Sequence, residues 1–570
     1  MAGVVLENLS NRKLSILGVS LLLVLVGFFL IGGIIAPSPS NVISALTVKC
    51  IDSKKAFNAS SWFNPRSSKS RDECYQVSNL KDDIIQKKRV EANQIVFAQW
   101  LPLPRGGKQL DMSRWFQNLI AVIQIDIGYS SKNPIGPDPV LRMLASIAYR
   151  DKHEDDWKEL ARATEDRHLE CHLEEHEKEE GAHYHCNLLP FFELGSVHYD
   201  YYLVNIRIPV LESRGINLGI GEIEDIHVVA IHQNGGFTKV WFSMKTTVFP
   251  VLLAVLVWFW NRIQKLSRLP NLLERTLFSL GIILSIMNLP IEWLTLNFNM
   301  PYMLLVGDIR QGAFYAMLLS FWVIFAGEHM MDQLERNKLS VYWKHLAAII
   351  FGCVCLFVFE MCERGVQLTN PFFSIWTTKV GTNLALTFII LAGISACLYF
   401  IFLCYMIFKV FRNISAKKVS LPHMSSLRRK FYTGLIYRFK FLMLITLLCA
   451  ALTVIFFIIS QVSEGSWKWG DENISLEYTS AFLTGVYGMW NVYVIGLLCM
   501  YAPSHKTIAD DAPLLFNIGK ESTPVLGRHS KQQSGGGGGA ADADTVGGIS
   551  PVIFCIQNSN GLKWPLPKIL

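Results

Sequence analysis

The sequence predicts a polytopic membrane protein with eight transmembrane helices and an all-β sandwich domain on the non-cytosolic side. Only 17% of its 570 residues are charged and its mean hydropathy is +0.30, whereas about 25% of the residues in soluble domains are charged. Apolar runs near the roughly 20 residues that a membrane span requires recur along the chain. Between the first two of these runs, apolar and polar residues alternate as they do in half-buried strands.

Eight apolar runs qualify as membrane spans. The run 241–260 contains Lys245 and the run 344–361 is short, so these two are the weakest. The first run is longer than the roughly 7–15 apolar residues of a signal peptide, so we expect a retained anchor after a short segment, 1–13. The predicted spans are 14–36, 241–260, 275–296, 303–326, 344–361, 384–408, 440–461 and 481–501.

Lys and Arg are distributed unequally between the connections. The connection 409–440 contains nine of them and no acid, whereas 462–480 contains four acids and only Lys468. Because Lys and Arg accumulate on the cytosolic side, we expect 37–240 in the lumen or outside the cell. An even number of spans places both termini in the cytosol, including the glycine-rich tail 502–570, which is predicted to be disordered. The net charge of +7 follows from this topology, so we expect no nucleic-acid partner.

The region 37–240 is long enough to form a domain with its own core. Several runs with period-two alternation, bounded by Gly, Pro and Asn, favour a β-sandwich. The segment 151–180, with thirteen acids against five bases, interrupts this alternation, and we expect a solvated helix or a mobile loop there. The alternating runs are 118–129, 141–150, 201–210 and 222–231.

Four of the twelve cysteines lie in the region 37–240. An even number of cysteines in an oxidising compartment suggests two disulfides. Sequence alone allows three pairings. We favour Cys50–Cys74 and Cys171–Cys186, because these bonds close short loops.

Nine of the fourteen histidines also lie in this region, and four of them are close to the second predicted cysteine pair. A zinc site is one interpretation and a pH sensor is another. We favour an exposed polar segment beside a disulfide, so neither a metal nor a cofactor is predicted. The sequence lacks the H-E-x-x-H, G-x-S-x-G and P-loop motifs, and we expect no enzymatic activity. The four histidines are His172, His176, His183 and His185.

Short motifs predict glycosylation and trafficking. The sequons at Asn58 and Asn473 lie on the lumenal side, where both could be glycosylated. In the basic cytosolic connection, Tyr432 and Leu435 have the spacing of a tyrosine-based sorting signal that clathrin adaptors bind. The basic residues around them could contact anionic membrane lipids.

Acids and bases gather at the lumenal ends of consecutive spans in this topology. Charges within spans are costly, so they face a cavity or pair with one another. Two interpretations stay open: a lattice of salt bridges that holds helix ends together, or the polar rim of a cavity that opens to the lumen. An apolar stripe below the rim would suit helix packing or a lipid chain. The candidate residues are Glu292, Asp308, Arg310, Glu360, Glu363 and Arg364 of the rim, Phe314, Tyr315, Leu318, Leu319 and Trp322 of the stripe, and Tyr487, Trp490 and Asn491 of the last span.

Several long runs resemble the Wntless (Evi, Sprinter) family, and its insect members in particular. The resemblance extends from residue 1 to about residue 506. The runs that carry it include IHQNGGFTKVWF (231–242), GDIRQGAFYAMLLSFW (307–322), CERGVQLTNPFFSIWTT (362–378) and GVYGMWNVYV (485–494).

The resemblance implies a cargo receptor for palmitoleoylated Wnt proteins, in which a lumenal β-sandwich precedes a seven-helix bundle similar to that of G-protein-coupled receptors. Such a receptor collects Wnt in the endoplasmic reticulum and carries it through the Golgi to the plasma membrane. It then returns through endosomes with the help of clathrin adaptors and retromer. The Wnt lipid would enter the bundle from the lumenal side, with Asp308 and Arg310 at the gate.

Two other functions are less consistent with the residues. A seven-helix signalling receptor for a lipid or lipidated ligand is the alternative, but the acidic-Arg-aromatic and N-P-x-x-Y motifs of such receptors are absent. A membrane acyltransferase needs a catalytic histidine inside a span. His329 and His345 both lie at predicted cytosolic edges instead.

Overall fold

The chain forms a β-sandwich domain followed by a bundle of long helices. Three predicted features, Asn58, Asn473 and His176, lie outside the described residues, as does the tail beyond residue 504. The computed structural model describes residues 4–52, 62–66, 74–78, 80, 90–103, 110–173, 178–266, 268–330, 338–418, 426–465 and 474–504.

Eight long helices lie in this described part of the chain. Seven of them are long and apolar enough to cross a membrane, which confirms a multi-pass membrane protein. The fifth has a shorter apolar segment, Tyr342–Cys355, and it corresponds to the short predicted span. The helices are α1 (Asn11–Leu30), α2 (Gly235–Gln264), α3 (Leu272–Asn288), α4 (Met303–Met330), α5 (Leu339–Gln367), α6 (Lys379–Lys418), α7 (Ser426–Gly465) and α8 (Ile474–Tyr501).

The region between α1 and α2 is an antiparallel β-sandwich, as the alternation predicts. Its strands are β1 (Ser40–Leu46), β2 (Val48–Ile51), β3 (Tyr75–Val77), β4 (Ile95–Leu101), β5 (Leu119–Gly128), β6 (Val140–Arg150), β7 (Lys158–His168), β8 (Cys171–His172), β9 (His185–Cys186), β10 (Leu189–Leu194), β11 (Tyr201–Arg207) and β12 (Glu222–Gln233). One sheet has the order β1-β12-β5-β10 and the other β3-β2-β4-β11-β6-β7, and their inner faces share one apolar core. Along β5, every second residue is buried, which is the burial that the sequence pattern requires.

The acidic segment 151–180 contradicts the expectation of a helix or a mobile loop. Its residues 158–168 form β7, which pairs with β6 at the edge of the larger sheet. Ala161 and Ala163 pack against the core, and the buried Arg167, four positions after Ala163, lies on the same face of the strand. Because alanine carries the apolar alternation and favours helices in isolation, this strand looks like a polar helix in sequence.

Both predicted disulfides are present. Cys50 of β2 is bonded to Cys74, just before β3, and Cys171 of β8 is bonded to Cys186 of β9. Within the described residues, no group of His, Cys, Asp and Glu is arranged to hold a metal ion. Cys171 and Cys186, which lie next to the histidine group, are engaged in a disulfide in this structure.

The first helix packs along the last one. Thr484 Oγ1 donates a hydrogen bond to the Phe28 carbonyl at 2.9 Å, and Ser480 Oγ donates to the Pro37 carbonyl at 2.6 Å. The ring of Phe28 lies against Gly488, where a Cβ atom would overlap it. Because a small residue is required there, α1 is fitted to α8 as part of the bundle.

The bundle is arranged around α4 and α8. Helix α4 contacts α3, α5 and α6, and α8 contacts α1, α2, α3 and α7. Strand β12 leads directly into α2, where Asn234 Oδ1 accepts a hydrogen bond from the Gly236 N–H and caps the helix. We call the end of the bundle next to the β-sandwich the proximal end and the opposite end the distal end.

Candidate functional site

A buried carboxylate binds two cations near the proximal end. Glu292 lies in the short helical turn Ile291–Leu296 and accepts hydrogen bonds from Lys245 of α2, at 2.7 Å, and from Arg310 of α4. The three side chains are only 9% to 12% exposed. Lys245 is not among the predicted site residues, although a lysine inside a span was a signal for it.

Arg310 also completes the end of α3. Pro290 has no N–H to donate to the Ile286 carbonyl, so the helix loses a hydrogen bond there. Arg310 Nη1 donates to the Leu289 carbonyl at 3.0 Å and lies 3.4 Å from the Ile286 carbonyl. A cation at a helix C-terminus is favourable. Arg310 therefore supports the salt-bridge interpretation, because it joins α3, α4 and the turn after α3.

Asp308, the other charged residue at the start of α4, forms an ion pair with Arg364. Asp308 Oδ2 lies 2.6 Å from Arg364 Nε near the end of α5, and Arg364 Nη1 donates to Glu193 Oε1 of β10 at 3.1 Å. The Arg364 side chain is 8% exposed. One guanidinium thus joins α4, α5 and the β-sandwich. Glu193 is missing from the predicted residues because it is 171 positions away from Arg364, and no local pattern relates the two.

The connection between α5 and α6 is also fastened to the β-sandwich. The Glu193 N–H donates to the Pro371 carbonyl at 2.9 Å, and Arg167 Nη2 donates to the Phe372 carbonyl at 2.7 Å. Phe372 is 1% exposed and belongs to the core of the sandwich. Burial lowers the pKa of Arg167. The proximal end of α5 is therefore held by the β-sandwich on one side and by α4 on the other.

A polar network lies deeper between α3 and α8. Tyr487 Oη donates to Asn288 Oδ1 at 2.7 Å, and Asn288 Nδ2 donates to Asn491 Oδ1 at 2.6 Å. Asn491 Nδ2 donates in turn to the Tyr487 carbonyl at 2.9 Å. All three residues are at most 2% exposed. Two predicted residues, Tyr487 and Asn491, are thus brought together, and their hydrogen-bonding groups are used within the bundle.

The apolar stripe of α4 packs inside the bundle. Phe314, Leu318 and Trp322 are at most 3% exposed, and Tyr315 and Leu319 are partly buried against the same core. The Trp490 ring lies 5.5 Å from that of Phe314 and 5.4 Å from that of Tyr315, measured between centroids. In this structure the stripe has the packing role that was one of its two interpretations.

A cavity of about 160 Å³ lies at the junction of the bundle and the β-sandwich. Glu193 and Arg364 form part of its wall, and Leu304 and Leu305 of the first turn of α4 form another part. Tyr202 and other residues of the β-sandwich also line the cavity. The cavity is therefore bordered by the Arg364–Glu193 ion pair that joins α5 to the β-sandwich.

For the remaining predicted residues, the structure gives only their burial or the helix in which they lie. Glu363 is 1% exposed and precedes Arg364 in α5. Glu360 lies in the same helix, but its side chain is outside the described part. Tyr432 and Leu435 lie in α7, and their side chains are also outside it. These residues keep the status of predictions.

The division of the chain into two parts matches known families. Residues 48–233 match the model described as Wntless, GOLD domain, and residues 234–505 match that described as Wntless-like, transmembrane domain. The chain belongs to the Wntless family. Neither matching family description is that of an enzyme.

Relatives in the Wntless family are similar over nearly their whole length. The wntless homologue of Gallus gallus is 54% identical over 513 residues, which are 90% of this chain and 93% of the relative. The Homo sapiens homologue is 51% identical over a region that covers 94% of this chain and 95% of the homologue. Protein wntless of Drosophila mojavensis is 52% identical over a region that covers 89% of this chain and 90% of that protein. These identities do not distinguish an insect member from a vertebrate one.

Proposed function

We propose that this chain is a cargo receptor that binds palmitoleoylated Wnt proteins in the secretory pathway. It carries them from the endoplasmic reticulum and Golgi to the plasma membrane and then recycles through endosomes. The observation that supports this proposal is the family membership, with both domains present and identities of 51% to 54% to relatives named wntless. In this proposal the proximal end of the bundle faces the lumen and the distal end faces the cytosol.

The chemistry of the cargo explains the need for such a receptor. Burying one CH₂ group is worth roughly 0.8 kcal/mol, so a sixteen-carbon acyl chain costs on the order of 10 kcal/mol to keep in water. A secreted protein with this modification therefore requires an apolar enclosure during transport. A bundle with a charged rim and an apolar interior provides both surfaces: the protein part stays in water while its acyl chain lies among apolar side chains.

The gate in this proposal lies between the proximal ends of α4 and α5. The Asp308–Arg364 ion pair joins these ends, and Glu193 connects the same guanidinium to the β-sandwich. The acyl chain would pass Leu304 and Leu305, which line the adjoining cavity. The sequence predicts both Asp308 and Arg310 at the gate. In this proposal only Asp308 acts there, and Arg310 anchors the end of α3.

The cargo assignment is tested with the full-length chain. Wild-type Wnt and a Wnt variant whose acylated serine is replaced by alanine are each co-expressed with it and recovered from secretory membranes. We expect wild-type Wnt to co-purify and the serine variant to be lost. Equal recovery of both Wnt proteins would show that the acyl chain is not recognised, and recovery of neither would remove the cargo function.

The recycling part is tested separately. Tyr432→Ala should increase the amount of the chain at the cell surface, because adaptors would lose the tyrosine of the sorting signal. Tyr437→Ala is a matched control: Tyr437 lies in the same helix and is 60% exposed, but it lacks the apolar residue three positions later. Equal surface levels for wild type and Tyr432→Ala would refute the signal.

A further inference from the structure

The segment that precedes α1 is bound to the distal end of the bundle. The Val5 N–H donates to the Ala502 carbonyl at 2.8 Å, and Val4 forms an isolated antiparallel bridge with Pro503. Residues Val5–Asn8 then form a single helical turn, closed by a hydrogen bond of 3.0 Å from the Leu9 N–H to the Val5 carbonyl. The contact therefore uses the main chain on both sides, at the point where α8 ends.

One side chain of this segment anchors it in the bundle. Leu6 is 1% exposed and belongs to the hydrophobic core that also contains Phe259 of α2 and Met443 of α7. Val4 and Val5 are partly buried against the same core. Full burial of one leucine, preceded by two partly buried valines, indicates a groove that fits an apolar peptide.

Two arginines complete the groove by binding main-chain carbonyls. Arg438 of α7 donates to the Leu6 carbonyl and to Asn11 Oδ1, both at 2.8 Å. Arg262 of α2 donates to the Pro503 carbonyl at 2.9 Å and lies over the Trp258 ring. The segment 4–11 is thus bound by α7 and by the end of α8, and Arg262 fastens the end of α8 to α2.

We propose that the distal end of the bundle is a peptide-binding groove whose occupant is the chain's own segment Val4–Leu6. Its recognition combines a main-chain bridge at Val4, a buried apolar anchor at Leu6 and an arginine donor, Arg438, which are elements of peptide recognition by a groove. Because the segment is continuous with α1, its binding is intramolecular and competes with that of any peptide added in solution. The bound segment joins α7 to the end of α8.

A peptide added in trans tests this proposal. A variant of the full chain that lacks residues 2–9 is placed in lipid nanodiscs and titrated with a fluorescent peptide of residues 2–11. Saturable binding to this variant is expected, and the wild-type chain should bind at least about tenfold more weakly because its groove is occupied. The same peptide with Leu6→Glu should lose at least about tenfold in affinity for the variant, because its anchor would be charged.

Two results of the titration would overturn the proposal. One is binding of the peptide to the wild-type chain with the affinity measured for the shortened one. The other is equal binding of the wild-type and Leu6→Glu peptides.

A second measurement keeps the proposal testable if the shortened chain does not fold. In the wild-type chain, hydrogen exchange at the Val5 amide should be slower than in the free peptide, because this amide is hydrogen-bonded to Ala502. Leu6→Glu should remove this protection, whereas Leu269→Glu, at a position 81% exposed, should leave it intact. Exchange of the wild-type Val5 amide at the rate of the free peptide would refute the groove.

Discussion

Asp308 and Arg364 form an ion pair, with 2.6 Å between Oδ2 and Nε, that joins the first two turns of α4 to the last turn of α5. Arg364 also binds Glu193, so the pair belongs to a connection between the membrane bundle and the β-sandwich.

Asp308→Asn should speed both the binding and the release of acylated Wnt by about tenfold, with little change in equilibrium affinity. The reason is that a pair which resists separation of α4 and α5 opposes passage in either direction, and a neutral amide holds Arg364 less tightly. Rates are measured on the immobilised full chain in nanodiscs. Asp166→Asn is the matched control, because Asp166 forms an exposed ion pair with Arg142. Unchanged rates for a folded Asp308→Asn protein would eliminate the gate.

Glu292→Gln should destabilise the bundle by about 3–5 kcal/mol, because Lys245 and Arg310 would remain buried together without a carboxylate. The measurement is the apparent melting temperature of the full chain, followed by tryptophan fluorescence. Glu212→Gln, at an exposed position of the β-sandwich, should leave the melting temperature within error. A small and equal effect of both substitutions would mean that Glu292 is not the counter-ion of the two cations.

Gly488→Val should lower stability by about 1–3 kcal/mol, because its side chain would overlap the Phe28 ring. Gly312→Val is the control, since a side chain at Gly312 meets open space. Adding Phe28→Ala to Gly488→Val should recover part of the loss, because removing the ring makes room. If the double variant loses the full sum of the two single effects, the two helices do not meet at this contact.

His232 should make the β-sandwich less stable as the pH falls below about 6.5, the ordinary pKa of histidine. The residue is 4% exposed and stacks on Phe116, and burial lowers its pKa in the folded state. The unfolded chain therefore binds more protons than the folded one just below pH 6.5, and stability falls in this window.

Thermal unfolding of the full chain between pH 7.5 and pH 5 measures this dependence. His232→Gln should reduce its slope, whereas His183→Gln, at a side chain 57% exposed, should not. An identical slope for wild type and His232→Gln would contradict the prediction.

Local patterns in the sequence are sufficient to predict the β-sandwich, the helices and the disulfides. The alternation of β5 and the short separations of the cysteine pairs depend on neighbours in the chain, so they can be read from one sequence. The strand β7 was missed because alanine and charged residues favour a helix in isolation, while pairing with β6 decides its conformation.

The ionic connections could be predicted only in part. Charges such as Asp308 and Arg310 at a helix end indicate pairing because burial of a lone charge is costly. The identity of each partner depends on how distant elements meet. Glu193 approaches Arg364 through the β-sandwich, and Lys245 approaches Glu292 across two helices. These encounters are properties of the tertiary structure and have no counterpart in local spacing.

The pairing of α1 with α8 also affects how the protein is made. Thr484 and the Phe28 carbonyl that it binds are 456 residues apart. At the usual synthesis rate of about 5–20 residues per second, the first helix waits in the bilayer for roughly 20–90 seconds before its partner leaves the ribosome. During that interval the surface of α1 that later packs against the glycine of α8 is exposed to lipid and to membrane chaperones. Completion of the bundle is therefore a late, post-insertion event.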